Sequence, residues 1–315
     1  MTEARSRSTV RLCALGAATM ALVSATTGHA LAADYAVSAY AGKAQITTTG
    51  ELIVSDSRTV RFSSEATSLG WDISVAKGQS VEFATVVGPE GGMYDRVREG
   101  DPTMLTPGSY IETMPPGAGV VHVQVAFRKP TSGTAVVKDD YIVKGAVRRW
   151  PDVGELLWDF IGDRWPVGTD DVRLEVTLPD NTPPSAVQAF VHGPEAVKIG
   201  ISAAPSGPAV VDTSTGETVQ VAVIDVQGKR LAARTPFRVR VLMPPAAVTG
   251  AVSSPGAHAD QVLAEEKAYA ASQGPKQAVR TNDQIVIWLL ALAVVIAVAA
   301  LGAWLWRRSI ATRDV

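Results

Sequence analysis

The sequence predicts a mainly β protein: an exported β-sandwich ectodomain, one large sandwich or two in series, with a short inserted helix and one C-terminal transmembrane helix. Three observations carry this. Apolar and polar residues alternate with period two through the middle of the chain, and turns rich in glycine and proline separate the alternating runs. No long helical pattern intervenes, which argues against a doubly wound enzyme fold. An uncharged run of 22 residues, Ile285 to Trp306, lies near the C-terminus, and that length crosses a bilayer as a helix.

The elements follow in chain order. Arg5, Arg7 and Arg11 precede an apolar stretch from Leu12 to Val23, and Ala30-Leu31-Ala32 has the small-residue form of a signal-peptidase site. Residues 1–32 are therefore expected to be a signal peptide, cleaved before Ala33. The only cysteine, Cys13, lies within it. The mature chain is thus expected to have no disulfide, no thiolate nucleophile and no cysteine metal site.

Residues 33–245 read as the β-rich extracytoplasmic domain, with a possible subdivision near 130–140. The clearest strands are Val121–Phe127, Val172–Leu178, Val219–Val223 and Phe237–Val241. Shorter alternations occur at Tyr35–Tyr40, Ala44–Thr48, Glu51–Val54, Thr59–Phe62, Val81–Val87, Tyr141–Val147 and Val187–Val191. Thr49-Gly50, Lys77-Gly78, Gly91-Gly92, Pro183-Pro184 and Gln227-Gly228 punctuate them. The exception is Trp150 to Gly162, which predicts a short helix: Asp152 as N-cap, Glu155 completing a capping box, Gly162 as the stop.

Residues 246–284 hold ten alanines and read as a membrane-proximal stalk with a helix from about His258 to Ser272, composed mostly of good helix formers. Residues 285–306 are expected to span the bilayer, with Trp288, Trp304 and Trp306 at its interfaces. Arg307-Arg308 predict a cytoplasmic tail, 307–315. The expected protein is a single-pass type I plasma-membrane protein, N-terminal domain outside, and its function belongs to the extracytoplasmic side.

Charge removes further classes. The formal net charge of the whole chain is -2. With the leader and tail set aside, 23 Lys and Arg face 29 Asp and Glu over residues 33–284, a net of -6. An acidic body lacks the basic footprint that phosphate backbones require, so nucleic acid is not an expected partner.

The stretch DDYIVKGAVRRWPDVGELLWDFIGDRWPVGTDDVRLEVTLP, 139–179, resembles a signature of the uncharacterised prokaryotic membrane family called domain of unknown function 2207. DYAVSAYAGKAQITTTGELIVSDSRTVRF, near the expected mature start, and VQAFVHGP, 187–194, resemble further family segments. The matching residues include Gly50, Leu52, Val54, Phe62, Tyr141, Asp152, Glu155, Leu156, Trp158, Trp165, Leu178 and Pro179, and the resemblance covers roughly 34–245. It implies an exported β-rich domain followed by a transmembrane helix, and it implies no catalytic residue. Many members resemble longer proteins with more transmembrane helices and a glycine-rich cytoplasmic tail. This chain departs from them in showing one span, so nothing attributed to that tail carries over.

Among candidate sites, Trp150, Trp158 and Trp165 could form a sugar-stacking surface or pack as core. Asp152 and Glu155 are expected as structural helix caps, with Asp159 solvated. Glycosidic acid–base work by these carboxylates is the weaker alternative. Asp139-Asp140 and Asp170-Asp171 lack calcium-loop spacing and read as solvated turns. His122, His192 and His258 form no zinc motif. No metal, cofactor or catalytic residue is expected. The expected role is non-catalytic ligand binding or assembly at the cell envelope, with an envelope glycan or another membrane protein as partner. Alternatives are an envelope polymer hydrolase and a structural subunit that pairs through Ala293, Ala297 and Ala300.

Overall fold

The computed structural model describes residues 35–97, 105–115, 117–180, 182–205 and 220–273. The expected leader, span and tail, and the stalk beyond residue 273, lie outside them. No helix among the described residues is long and apolar enough to cross a membrane.

In chain order the strands are β1 (Tyr35–Ile46), β2 (Leu52–Ser74), β3 (Ser80–Val87), β4 (Asp95–Arg96), β5 (Ser109–Thr113), β6 (Val120–Lys144) and β7 (Val147–Arg149). There follow β8 (Gly154–Ile161), β9 (Thr169–Thr177), β10 (Gln188–His192), β11 (Ala196–Pro205), β12 (Gln220–Leu231), β13 (Phe237–Met243) and β14 (Val252–Ser253), then one helix, α1 (Ala259–Ser272). The protein is mainly β. The first sheet runs β11-β12-β9-β1-β2-β6-β5-β4, with β3 paired to β6, and the second runs β10-β13-β8-β7-β14. Most neighbours are antiparallel, but β1 pairs with β9, β4 with β5 and β7 with β14 in parallel.

Several short alternations expected from the sequence are parts of longer strands. Tyr35–Tyr40 and Ala44–Thr48 belong largely to β1, and Glu51–Val54 and Thr59–Phe62 to β2. In β2 the buried row is Leu52, Val54, Asp56, Arg58, Val60 and Phe62. Over Leu52–Phe62 the period of two holds, though two of its inward positions are charged; it breaks over 63–68 and resumes with Leu69, Trp71 and Ile73 buried. Residues 130–140 lie within β6.

The two sheets contribute to one hydrophobic cluster. Phe237 of β13, fully buried, meets Tyr40 of β1 edge-on at 6.1 Å and Phe160 of β8 at 6.1 Å. The β1–β2 turn is held beside the second sheet: the Val147 amide donates to the Gly50 carbonyl at 3.0 Å. Gly50 has φ +80°, and a Cβ there would stand 2.5 Å from the Ala251 Cβ, so this turn requires glycine twice over.

The helix expected over Asp152 to Gly162 is replaced by β8. Leu156, Trp158 and Phe160 face the core, while Glu155, Leu157 and Asp159 occupy the alternate positions. Both faces of the strand are covered, so apolar residues occur on both and imitate helical spacing. The second face lies toward α1. That helix forms where the sequence places one, but it packs as an outer layer, with Val262 fully buried against Val153 and Leu242. Residues 259–272 are part of the folded body, not a free spacer.

Phe237→Ala should cost about 4 kcal/mol by opening a cavity between the sheets. Denaturant unfolding of the full chain, followed by tryptophan fluorescence, measures it.

Candidate functional site

Two polar clusters stand out, one inside the core and one beneath α1. The inner cluster is built by the period-two rows of β2 and β6. Asp56 and Asp139 are direct cross-strand partners, both inward and both fully buried. Like charges directly opposite one another repel, and Arg58, two residues along, lies between them. Its guanidinium donates to Asp139 and, at 3.2 Å, to Asp56 Oδ2. The Tyr40 hydroxyl donates to Asp56, and the Tyr141 hydroxyl donates to Asp56 Oδ2 at 3.3 Å. Aromatic faces complete the enclosure: the Arg58 Cζ lies 4.6 Å from the Trp71 ring centroid, 5.7 Å from Tyr40 and 6.0 Å from Trp165.

Desolvation dominates the titration of this cluster. It raises Asp56 to about 7 and Asp139 to about 6, despite the opposing pull of Arg58. Burial also carries both tyrosines well above their ordinary range. Burial alone would lower the guanidinium, but Asp139 and Asp56 carry it up. One cation between two carboxylates thus fails to hold either aspartate in the ordinary carboxylate range.

The second cluster joins β8, β10 and β13 to α1. Asp152 does cap a helix, but a distant one: its carboxylate accepts the backbone N–H groups of His258 and Ala259 at 2.9 Å. The Ala259 amide leads the contacts that lower its pKa, as expected of a carboxylate at a helix N-terminus. Glu155 is a strand residue facing Arg240 and His258. Arg240 Nε lies 2.9 Å from Glu155 Oε1, but neither atom makes a hydrogen bond, so this contact is one of charge alone. Arg240 also donates to Glu265 at 3.1 Å and to Glu266 at 2.8 Å. His258 stacks on Trp150 at 4.0 Å, and His192 stacks on Tyr269 at 3.9 Å while meeting Glu266 at 2.7 Å. Asp159 is not solvated: it accepts two N–H groups of Arg238 at 2.6 and 2.9 Å.

The three tryptophans proposed as a recognition surface are separated. Trp158 and Trp165 are buried in the core and offer no face to a ligand. Trp150 is half-buried and lines an open groove of about 370 Å³ with Arg149, Pro151, Pro245, Ser253 and Ser254. Of the acidic doublets, Asp139 is core, while Asp140, Asp170 and Asp171 face solvent as expected but from strands rather than turns, meeting Thr85, Arg61 and Lys229. Among the described residues no three His, Cys, Asp or Glu side chains are grouped to hold a metal ion.

Residues 36–243 match the family described as predicted membrane protein (DUF2207), N-terminal domain. The chain belongs to that family. Its DUF2207 domain therefore contains both sheets except β14, and α1 lies beyond the matched residues. No curated protein matches the chain. Among solved structures it is similar to a putative protease from Parabacteroides distasonis ATCC 8503, with TM-score 0.36 and 10% identity over 67% of this chain and 41% of that one. It is also similar to an M1 zinc metallopeptidase from Deinococcus radiodurans, with TM-score 0.38 and 10% identity over 67% of this chain and 43% of that one. The chain spans about two-fifths of the length of these structures. At such TM-scores the likeness carries no argument about fold or activity.

Two outcomes follow for the DUF2207 domain. Its aspartates at about 7 and 6 sit above the roughly 3.9 of an unfolded chain, so the folded state holds more protons between those values. The stability they contribute is complete below about pH 4 and lost as pH rises through 6 to 7. Urea unfolding at a series of pH values should show this fall, and Asp139→Asn should flatten it. Separately, Asp152→Ala should strip amide-exchange protection from α1 while the central strands keep theirs, because it removes the acceptor of the first helical N–H groups.

Proposed function

We propose that this is a single-pass, membrane-anchored extracytoplasmic protein whose β-sandwich domain binds an envelope glycan without catalysis. In this reading residues 1–32 are a cleaved leader, 285–306 the anchor and 307–315 a cytoplasmic tail. The observation that carries the non-catalytic reading is the engagement of the carboxylates of the 152–159 segment. Asp152 is held by backbone N–H groups, Glu155 faces Arg240 and His258, and Asp159 is held by Arg238. A glycosidic acid–base pair needs two carboxyl groups open to the scissile bond from opposite sides, whereas Asp152 and Glu155 serve the joint between sheet and helix and Asp159 ties β8 to β13.

Binding falls to the groove beside Trp150. Its volume of about 370 Å³ lies within the usual range for small-ligand sites. The Trp150 indole, the Arg149 guanidinium, which donates to the Ser253 hydroxyl at 2.9 Å, and the Ser254 hydroxyl suit a sugar ring, which offers apolar C–H faces and many hydroxyls.

A photoreactive amino acid at Ser254 of the full chain, irradiated in native membranes, should give an adduct that glycan-degrading enzymes shorten. Trp150→Ala should lower its yield about tenfold or more. An adduct with polypeptide only would assign the groove to assembly with another protein. Turnover of an envelope polymer by the purified full chain, abolished by Glu155→Gln at unchanged melting temperature, would overturn the non-catalytic reading.

A further inference from the structure

A second small site lies inside the core beside Arg58. Trp71 Nε1, Trp165 Nε1 and Thr169 Oγ1 are all buried and have no hydrogen-bond partner within the protein. A buried polar group left without a partner costs about 1–3 kcal/mol, and three of them together are a large charge against a folded chain. These three come from separate places: Trp71 from β2, Trp165 from the β8–β9 connection and Thr169 from the start of β9. Yet all three side chains line one cavity of about 10 Å³. That is close to the smallest space that admits one water molecule, about 10–15 Å³.

We infer that this cavity is a binding site for a single structural water. The donor and acceptor inventory closes on that ligand. Each indole supplies one N–H and nothing else, so both donate to the water oxygen. The water in turn donates to Thr169 Oγ1, a hydroxyl with acceptor lone pairs. Buried waters make about three such bonds. A cation is excluded by the two indole donors. A halide suits the donors but not the surroundings, because Asp56 and Asp139 hold the Arg58 guanidinium that would have to balance it. Access is provided by Asp72, which also lines the cavity and has a side chain 20% exposed.

The role of this water is to finish the Arg58 enclosure. Trp71 and Trp165 present their faces to the guanidinium and both line the cavity, so a molecule that satisfies both indoles would fix their ring planes. Trp158 supplies an internal control. Its indole N–H is directed to the Tyr141 hydroxyl, and Trp158 does not line the cavity, so no water is expected there.

A crystal structure of the full chain at a resolution that shows ordered water tests this. The expected result is one water-strength peak within about 2.7–3.2 Å of Trp71 Nε1, Trp165 Nε1 and Thr169 Oγ1, with no such peak at Trp158 Nε1. The inference is overturned by featureless density between three well-ordered side chains. It is equally overturned by a peak that acquires anomalous signal when bromide replaces chloride in the crystal, since that outcome assigns the site to an anion.

Discussion

The fold depends on burying one guanidinium between two carboxylates in the core of a β domain. Desolvating a charge is costly, and a buried ion pair repays that cost only when its geometry is good and its remaining hydrogen bonds are met. Here Tyr40 and Tyr141 complete the Asp56 side and three aromatic faces surround Arg58, while Asp139 Oδ2 is left without a partner within the protein. The arrangement acts most strongly on register. Asp56 lies opposite Asp139, and the intervening outward pair is Ser57 with Lys138. A slip of one residue would turn every side chain to the other face. Arg58 would leave the core and the inward row would lose both its cation and its apolar neighbours. An apolar row tolerates shifts by two; a row with one cation and two anions at fixed places does not.

The joint beneath α1 is of a different kind. Only Val153, Leu242 and Val262, with Trp150, Phe190 and Ala259 packed around them, form its apolar centre, separate from the main core. Ionic contacts of Arg240 and the two histidine stacks surround it. Elements with little buried apolar area open before the rest of a structure. This helix lies outside the residues that match the family domain.

The sequence shows strands plainly wherever one face is apolar and the other polar, as at Val121–Phe127 and Phe237–Val241. It conceals them in two circumstances. Asp56 and Arg58 occupy inward positions, so β2 reads as two short strands with a polar gap between them. In β8 the outward residues are covered as well, so Leu156, Leu157, Phe160 and Ile161 suggest a helical stripe. Asp152 illustrates a third limit: its residue type declares a cap, but only tertiary structure shows that the capped helix begins more than a hundred residues later, at Ala259. The Arg58 cluster did leave a signal, the unbroken period of two from Leu52 to Phe62, legible once charged residues are allowed on the inner face.

That same burial alters what the charge count means. A net of -6 over residues 33–284 suggests a strongly acidic surface. Among the described residues, however, four acids (Asp56, Asp139, Glu155 and Glu266) and one base, Arg58, are buried. Half of the excess is therefore internal. Internal charge sets stability and its pH dependence, whereas only the remainder shapes the field that an approaching ligand meets. The surface is thus closer to neutral than the composition implies, and recognition at the Trp150 groove has to rest on local shape and the Arg149 guanidinium rather than on long-range attraction of a cationic partner.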